Sequence, residues 1–320
     1  MCDRATVLRD GRDVGILLPP ESSEEAIVDL MLGPAAEAVE VGAAGATPEN
    51  VEAVGEPHAA EAVRQGAFPP DAGESGPLLE IRDLRVGNEI NGVSLQVHPG
   101  EVVGVAALEG QGQDALFDAL AGRRRSDGGE IRVENRIIVP RTPYDAIRAG
   151  VVLVPGDRVQ ALLPQRPVRE NIATPLYNRI LRWGVINRRD ESRRVVNAIQ
   201  RLQIDTRAQR QVRRLSGGNQ QKVTIGRWLA TGFQVLLLFD PTRGIDVGTK
   251  RQIHTLLREL VEGGIGILLF TSELPEIQLV CDRVLVLYEG RIVQEMPADK
   301  ADEAALLRAA HGLTREEARV

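Results

Sequence analysis

Two cysteines in 320 residues leave no material for a disulfide framework or a thiolate metal cluster. A reducing, cytosolic setting is the simplest expectation. Long apolar runs are missing as well. V-V-G-V-A-A-L and V-L-L-L-F are the longest, well short of the ~18 residues that span a bilayer. No membrane-crossing segment and no secretory signal is expected. Residues 34–77 contain no lysine and few large apolar side chains, and are rich in Ala, Glu, Gly and Pro. They read as a solvated linker, unable to bury a core.

The remainder is ordinary for a folded protein, with 43% hydrophobic and 26% charged residues and length enough for two domains. Charge is divided unevenly. Residues 1–77 hold 15 Asp and Glu against 4 Lys and Arg, so an overall charge of −6 leaves a mildly basic remainder. A folded unit is expected to begin near Leu78.

The chain also repeats itself. Residues 2–33 laid over 281–312 without a gap give 11 identities in 32 positions, including C-D-R at the start of each copy. Unrelated segments would share about two. Two copies of a large domain are implied, most of the first being absent.

From Leu78 onward, short β-rich runs alternate with helical stretches. L-L-E-I-R-D-L-R-V, S-L-Q-V and E-V-V-G-V-A-A come first, followed by runs at 151–155, 235–239, 266–271 and 283–288. Apolar strands without alternation suit a mainly parallel sheet covered on both faces. Ile253, Leu256, Leu257, Leu260 and Val261 fall at i, i+3, i+4, i+7 and i+8, one stripe of a helix beginning near Thr249. An α/β domain follows.

Between Pro164 and Arg214 the sheet signal stops. Thirteen Arg from Arg166 to Arg214 face only Glu170, Asp190, Glu191 and Asp205. A solvated helical surface or a protein-docking face accounts for them, and so would a nucleic-acid footprint, although no series of stacking aromatics accompanies it.

The sharpest motif is L-S-G-G-N-Q-Q-K-V at 215–223. Ser216, Gly217 and Gly218 precede a helix whose first amides would be exposed at the positive end of its dipole, a place that favours polyphosphate. Alone, S-G-G is equally a serine cap before a flexible turn. Together with D-P-T-R-G-I-D after an apolar strand, it resembles the ATP-binding-cassette (ABC) ATPases. S-G-G-N-Q-Q-K, P-T-R-G-I-D-V-G-T-K and T-S-E-L-P-E are similar to the second cassette of the tandem ATPases that power bacterial importers of simple sugars or nucleosides.

The resemblance covers residues 78–312 and implies an α/β P-loop NTPase of ABC type. A mostly parallel sheet, an antiparallel β portion and an arginine-rich helical subdomain at about 157–230 are expected. Residues 1–33 then look like the end of a first cassette, 34–77 a linker and 313–320 a tail. Residues 1–33 are expected to be weakly docked without their sheet partners.

Several positions depart from the family's catalytic pattern. A phosphate loop reads G-x-x-x-x-G-K-[ST], its lysine reaching the terminal phosphates and its hydroxyl holding Mg²⁺. Here Ala107, Gly110 and Gly112 keep the small-residue bend, with Gln111 also in the candidate nucleotide-binding loop, but Gln113 stands for the lysine and Asp114 for the hydroxyl. Glu109 adds a further negative charge, so tight ATP binding is electrostatically disfavoured. Phe239 takes the metal-coordinating Asp position, Asp240 that of the catalytic Glu, Glu273 that of the switch His, and Gly156 that of a metal-reading Gln.

ABC pairs form head-to-tail sandwiches. The resemblance implies that Ser216, Gly217, Gly218 and Gln220 close over ATP held, mostly with its Mg²⁺, by another cassette. Asp246 would couple the two sites, or simply cap the helix after it. Implied partners are that cassette, transmembrane permease subunits docking on the arginine-rich segment and, indirectly, a solute-binding protein, with no nucleic acid. The expected place is the cytoplasmic face of the cell membrane. A non-catalytic scaffold or regulatory module is the other reading.

Overall fold

The computed structural model describes residues 5–9, 12–17, 76–176, 181–182, 185–204 and 210–312. Residues 34–75 of the linker expected at 34–77 and the tail at 313–320 lie outside them, as do residues 2–4, 10–11 and 18–33 of the repeat. The chain divides into two compact units, Met1–Glu56 and Pro57–Val320.

In the first unit, β1 (Ala5–Arg9) and β2 (Arg12–Leu17) form an antiparallel hairpin. Ala5 pairs with Leu17, Val7 with Gly15 and Leu8 with Asp13, the register slipping between Val7 and Leu8.

The second unit opens with an antiparallel layer. It comprises β3 (Leu79–Val86) and β4 (Ile90–Val97), joined after β5 (Val102–Ala106) and α1 (Gln113–Leu120) by β6 (Gly128–Val133) and β7 (Arg136–Ile138). The β6–β7 hairpin lies outside the strands expected from sequence. Glu134 and Asn135 both take positive φ, 48° and 63°, the conformation of a tight two-residue hairpin turn that a short E-N pair signals only weakly.

Next come α2 (Pro143–Arg148), β8 (Val151–Val154), α3 (Arg158–Ala161) and α4 (Val168–Ala173), then the short strands β9 (Leu181–Arg182) and β10 (Val185–Ile186). That small hairpin interrupts a stretch expected to be helical throughout. The chain continues through α5 (Arg188–Arg201), α6 (Gly217–Thr231), β11 (Val235–Phe239) and α7 (Val247–Glu262). It ends with β12 (Gly266–Phe270), α8 (Leu274–Val280), β13 (Arg283–Tyr288), β14 (Arg291–Pro297) and α9 (Glu303–Ala310).

The main sheet runs β14-β13-β5-β12-β11-β8, parallel except for β14. Its strands are apolar at successive positions because both faces are covered. Val103, Val105, Leu268 and Phe270 face the antiparallel layer and α1, while Val102, Ile267, Leu269 and Leu236 face the helices on the other side. The stripe Ile253, Leu256, Leu257, Leu260 and Val261 of α7 is buried there, as its spacing requires. No helix among the described residues is long and apolar enough to cross a membrane.

The β13–β14 hairpin repeats the pairing of the β1–β2 hairpin. Val284 pairs with Met296, Val286 with Gln294 and Leu287 with Ile292, the register slipping between Val286 and Leu287. Shifted by 279 residues, each pair of the first hairpin falls on a pair of the second, bulge included. In this copy C-D-R has structural work. Asp282 Oδ2 accepts from the amide of Val102 at 2.7 Å, Arg283 Nε donates to Glu101 Oε1 at 2.7 Å, and the Cys281 thiol is buried against Gly104, its pKa pushed up to about 12 by desolvation.

Candidate nucleotide-binding site

Two helix starts carry most of the site residues expected from sequence, while Asp240, Asp246 and Glu273 lie at other element ends. The first is α1, entered from β5 through Ala107–Gly112. Gly110 and Gly112 take φ of 80° and 104°, and a Cβ on Gly112 would fall 2.3 Å from the carbonyl oxygen of Glu89. Only glycine fits there. Gln111 fastens the loop to the β13–β14 turn, its Oε1 accepting from the amide of Glu289 at 2.7 Å.

The bend is kept, but its side chains do not suit a triphosphate. Gln113 is 3% exposed and its Oε1 is buried without a hydrogen-bond partner. A buried neutral amide at this place brings no positive charge to the loop. Asp114 is exposed at the helix start. Partial desolvation raises its pKa, and Asp118, Glu89 and Glu109 raise it further by repulsion.

Opposite this helix, Phe239 ends β11 inside an aromatic cluster. Its ring lies 5.4 Å from that of Phe117, edge to face, and 4.6 Å from that of Phe270. Gly156 leaves room for this strand end, since a Cβ there would approach the carbonyl oxygen of Phe239 to 3.0 Å. Asp240 follows at φ 51°, 5% exposed. Its Oδ1 accepts from the Ser272 amide and hydroxyl, both at 3.0 Å, and Arg243 Nη1 stands 3.9 Å from Oδ2. That carboxylate is engaged in holding two loops together. Glu273 pairs with Lys250 and is absent from the cleft wall.

These elements enclose a cleft of about 520 Å³ walled by Asp114, Phe117, Gly156, Arg158, Phe239 and Asp240 among others. Four acids, Asp114, Asp118, Asp157 and Asp240, line it. The end of β11 presents the ring of Phe239 rather than a carboxylate, and Asp240 and Asp157 are already engaged, by Ser272 and by the Val159 amide.

The second helix start is α6. Ser216 caps it, and its exposed Oγ accepts from Asn219 twice, from the amide at 3.3 Å and from Nδ2 at 3.1 Å. Both lone pairs are used, so the hydroxyl hydrogen is free to donate outward. The amides of Gly217 and Gly218 lie in the first turn, where no preceding helical carbonyl can accept them. Gln220 turns inward, its Nε2 donating to the carbonyl oxygens of Leu215 at 3.2 Å and Val212 at 3.4 Å. It braces the turn before the cap.

Neither glycine takes positive φ, so close approach accounts for their missing side chains. A Cβ on Gly218 would meet the Thr249 side chain at 2.6 Å. Thr249 is bound to Asp246, which caps α7 by accepting from the Thr249 amide and hydroxyl, both at 2.9 Å. Partial desolvation works to raise the Asp246 pKa, but these two bonds, helped by Lys222, outweigh it and hold the carboxylate below its ordinary range. The signature turn thus leans on the helix that Asp246 starts. A Cβ on Gly217 would meet the Arg158 guanidinium, with Nη2 at 3.0 Å and Cζ at 3.3 Å. Arg158, Thr249, Lys250 and Ser272 were not among the residues expected from sequence. The one signal for Arg158 is its place in V-P-G-D-R, two residues after Gly156.

Residues 90–243 match the ABC transporter family model. The chain is 35% identical over 317 residues to a ribose import ATP-binding protein of Rhizobium johnstonii, covering 97% of this chain and 56% of that protein. It is 38% identical over 309 residues to one of Rubrobacter xylanophilus, covering 95% and 56%, and 35% identical over 314 residues to one of Bacillus subtilis, covering 98% and 58%. The chain therefore spans little more than half the length of these curated relatives. A nucleotide-free ATP-binding cassette from an ABC transporter superposes with a TM-score of 0.63 at 21% identity, over 76% of this chain and 98% of that one. The cbiO1 structure from Clostridium perfringens gives 0.63 at 22%, over 75% and 97%. Both likenesses are of fold.

Proposed function

We propose, from the premise that this chain carries an ATP-binding domain of the ABC transporter kind, that it serves a simple-sugar importer by closing its signature turn over ATP held by another cassette. One contrast carries the reading: the α6 start adds a hydroxyl hydrogen free to donate and no acid to its first-turn amides, whereas the α1 start sets Asp114 and a buried side-chain amide beside its own. Phosphoryl transfer depends chiefly on positioning and charge stabilisation, so a domain contributing amides and one hydroxyl can still be indispensable. Lysine, Mg²⁺ and the catalytic carboxylate would come from the partner cassette. Ser216, Gly217 and Gly218 would touch the nucleotide, Gln220 would brace them, and Asp246 would relay closure through Thr249 to α7.

The shared register of the two hairpins supports reading residues 1–33 as the end of a first cassette, a tandem arrangement with the signature-donating cassette second. On this reading 34–77 is the linker and 78–312 the second cassette. Ribose is the favoured cargo because the relatives named above import it. The arginine-rich segment would dock on permease subunits at the cytoplasmic face of the membrane, with a solute-binding protein delivering sugar from the other side.

Calorimetry with Mg-ATP, and turnover on the same sample, tests this. The chain alone is expected to show no binding at micromolar ATP and no hydrolysis, and turnover should appear when a cassette with an intact phosphate loop is added. Micromolar binding with steady hydrolysis by the chain alone would sink the reading. Association without turnover would favour a scaffold.

A further inference from the structure

We propose that Arg158 is a catalytic cation which the signature face presents to the terminal phosphate of the partner's ATP. This rests on the composite-site reading above. The position of the guanidinium carries the argument. Its head, not its stem, lies against Gly217, with Nη2 closest to where a side chain would begin. Gly217 does not take positive φ, and without a Cβ it leaves that head close beside the first-turn amides of α6.

Arg158 is also uncommitted. Among the described residues its one hydrogen bond is from Nη1 to the carbonyl oxygen of Arg243, at a long 3.4 Å, and it has no carboxylate partner. Two of the acids that line the cleft with it are engaged elsewhere. Asp157 caps α3 by accepting from the Val159 amide at 2.9 Å, and Asp240 is held by Ser272. A guanidinium has five donors in a fixed fork that fits phosphate oxygens, and four of them remain here. The helix dipole supplies about half a positive charge at such a start, and no acidic residue in the first turn of α6 opposes it. Arg158 would add a full charge at the same point, offsetting part of the charge on a terminal phosphate that amides and one hydroxyl leave unmatched.

The test pairs the chain with a cassette that has an intact phosphate loop and a catalytic Glu→Gln change, so that ATP is bound but not turned over. Mg-ATP-dependent association is read by sedimentation velocity. Arg158→Gln should weaken association about tenfold, with Arg158→Lys recovering part of the loss. With a hydrolysing partner, Arg158→Gln should lower kcat more than it changes KM, while its melting temperature stays within about 2 °C of the parent. Ser216→Arg, which blocks the turn itself, is the control. If Ser216→Arg abolishes association and Arg158→Gln associates like the parent, Arg158 is a strut and the proposal fails while the composite site stands. If both associate like the parent, the composite site fails and takes this proposal with it.

Discussion

The α1 and α6 starts are both helix N-termini whose first amides have no intrahelical acceptor, and they differ in backbone as well as in chemistry. The turn before α1 takes positive φ at Gly110 and Gly112, whereas the glycines of α6 lie inside its first turn at ordinary φ. The α1 start has no side-chain cap, carries Asp114 in its first turn and is adjoined by Glu109. The α6 start is capped by Ser216, has no first-turn acid and has Arg158 against it. A helix N-terminus is therefore not enough to make an anion site. Side chains around it decide whether its half charge is reinforced or cancelled.

The largest effect should come from breaking the working side. Gly218→Val places a side chain on Thr249, where even a Cβ has only 2.6 Å. Turnover by the paired cassettes should fall at least about a hundredfold, because misplacing positioned groups by an ångström costs that much. A change on the other side, Gln113→Ala, should change turnover less than about twofold, since on this reading the buried amide touches no nucleotide and its Oε1 has no hydrogen bond to lose. Equal losses would erase the contrast.

Phe239 gives the next effect, on stability. Its ring bridges Phe117 on α1 and Phe270 on β12, so the strand end is tied to the loop helix by aromatic packing. Phe239→Ala should cost about 1–3 kcal/mol in urea unfolding, below the ~3–5 kcal/mol of a fully buried Phe because the ring is only half-buried. A cost near zero would mean that the cluster does not hold the cleft in its present shape.

How much of this could be read in advance varies with the physics behind each element. The main strands were legible because strands covered on both faces are apolar at every position. The α7 stripe was legible because its helical period is regular. The β6–β7 hairpin was not, since its turn depends on two residues taking positive φ. The exchange of lysine for Gln113 was plain in sequence, but the burial of its amide was not. Glu273 illustrates the limit most directly. Its position in T-S-E could be aligned by counting, whereas its pairing with Lys250 links residues 23 apart in sequence, brought together only by folding. Close approaches such as Arg158 to Gly217 belong to the same class.

The smallest effect tests the electrostatic half of the contrast. Partial desolvation and neighbouring acids raise the Asp114 pKa in the folded state. A carboxyl with a raised folded pKa opposes folding while ionised, so its cost is present at neutral pH and is relieved as pH falls through that raised value. Asp114→Asn should therefore melt about 1–2 °C above the parent at pH 7, a figure kept small because the group is exposed and screened. The gap should close as pH falls toward the ordinary aspartate value of 3.8 and narrow in high salt. A gap that stays constant with pH would point to a packing effect of the amide. An absent gap would mean that the α1 start is disabled by Gln113 and Phe239 alone, with no contribution from repulsion among its acids.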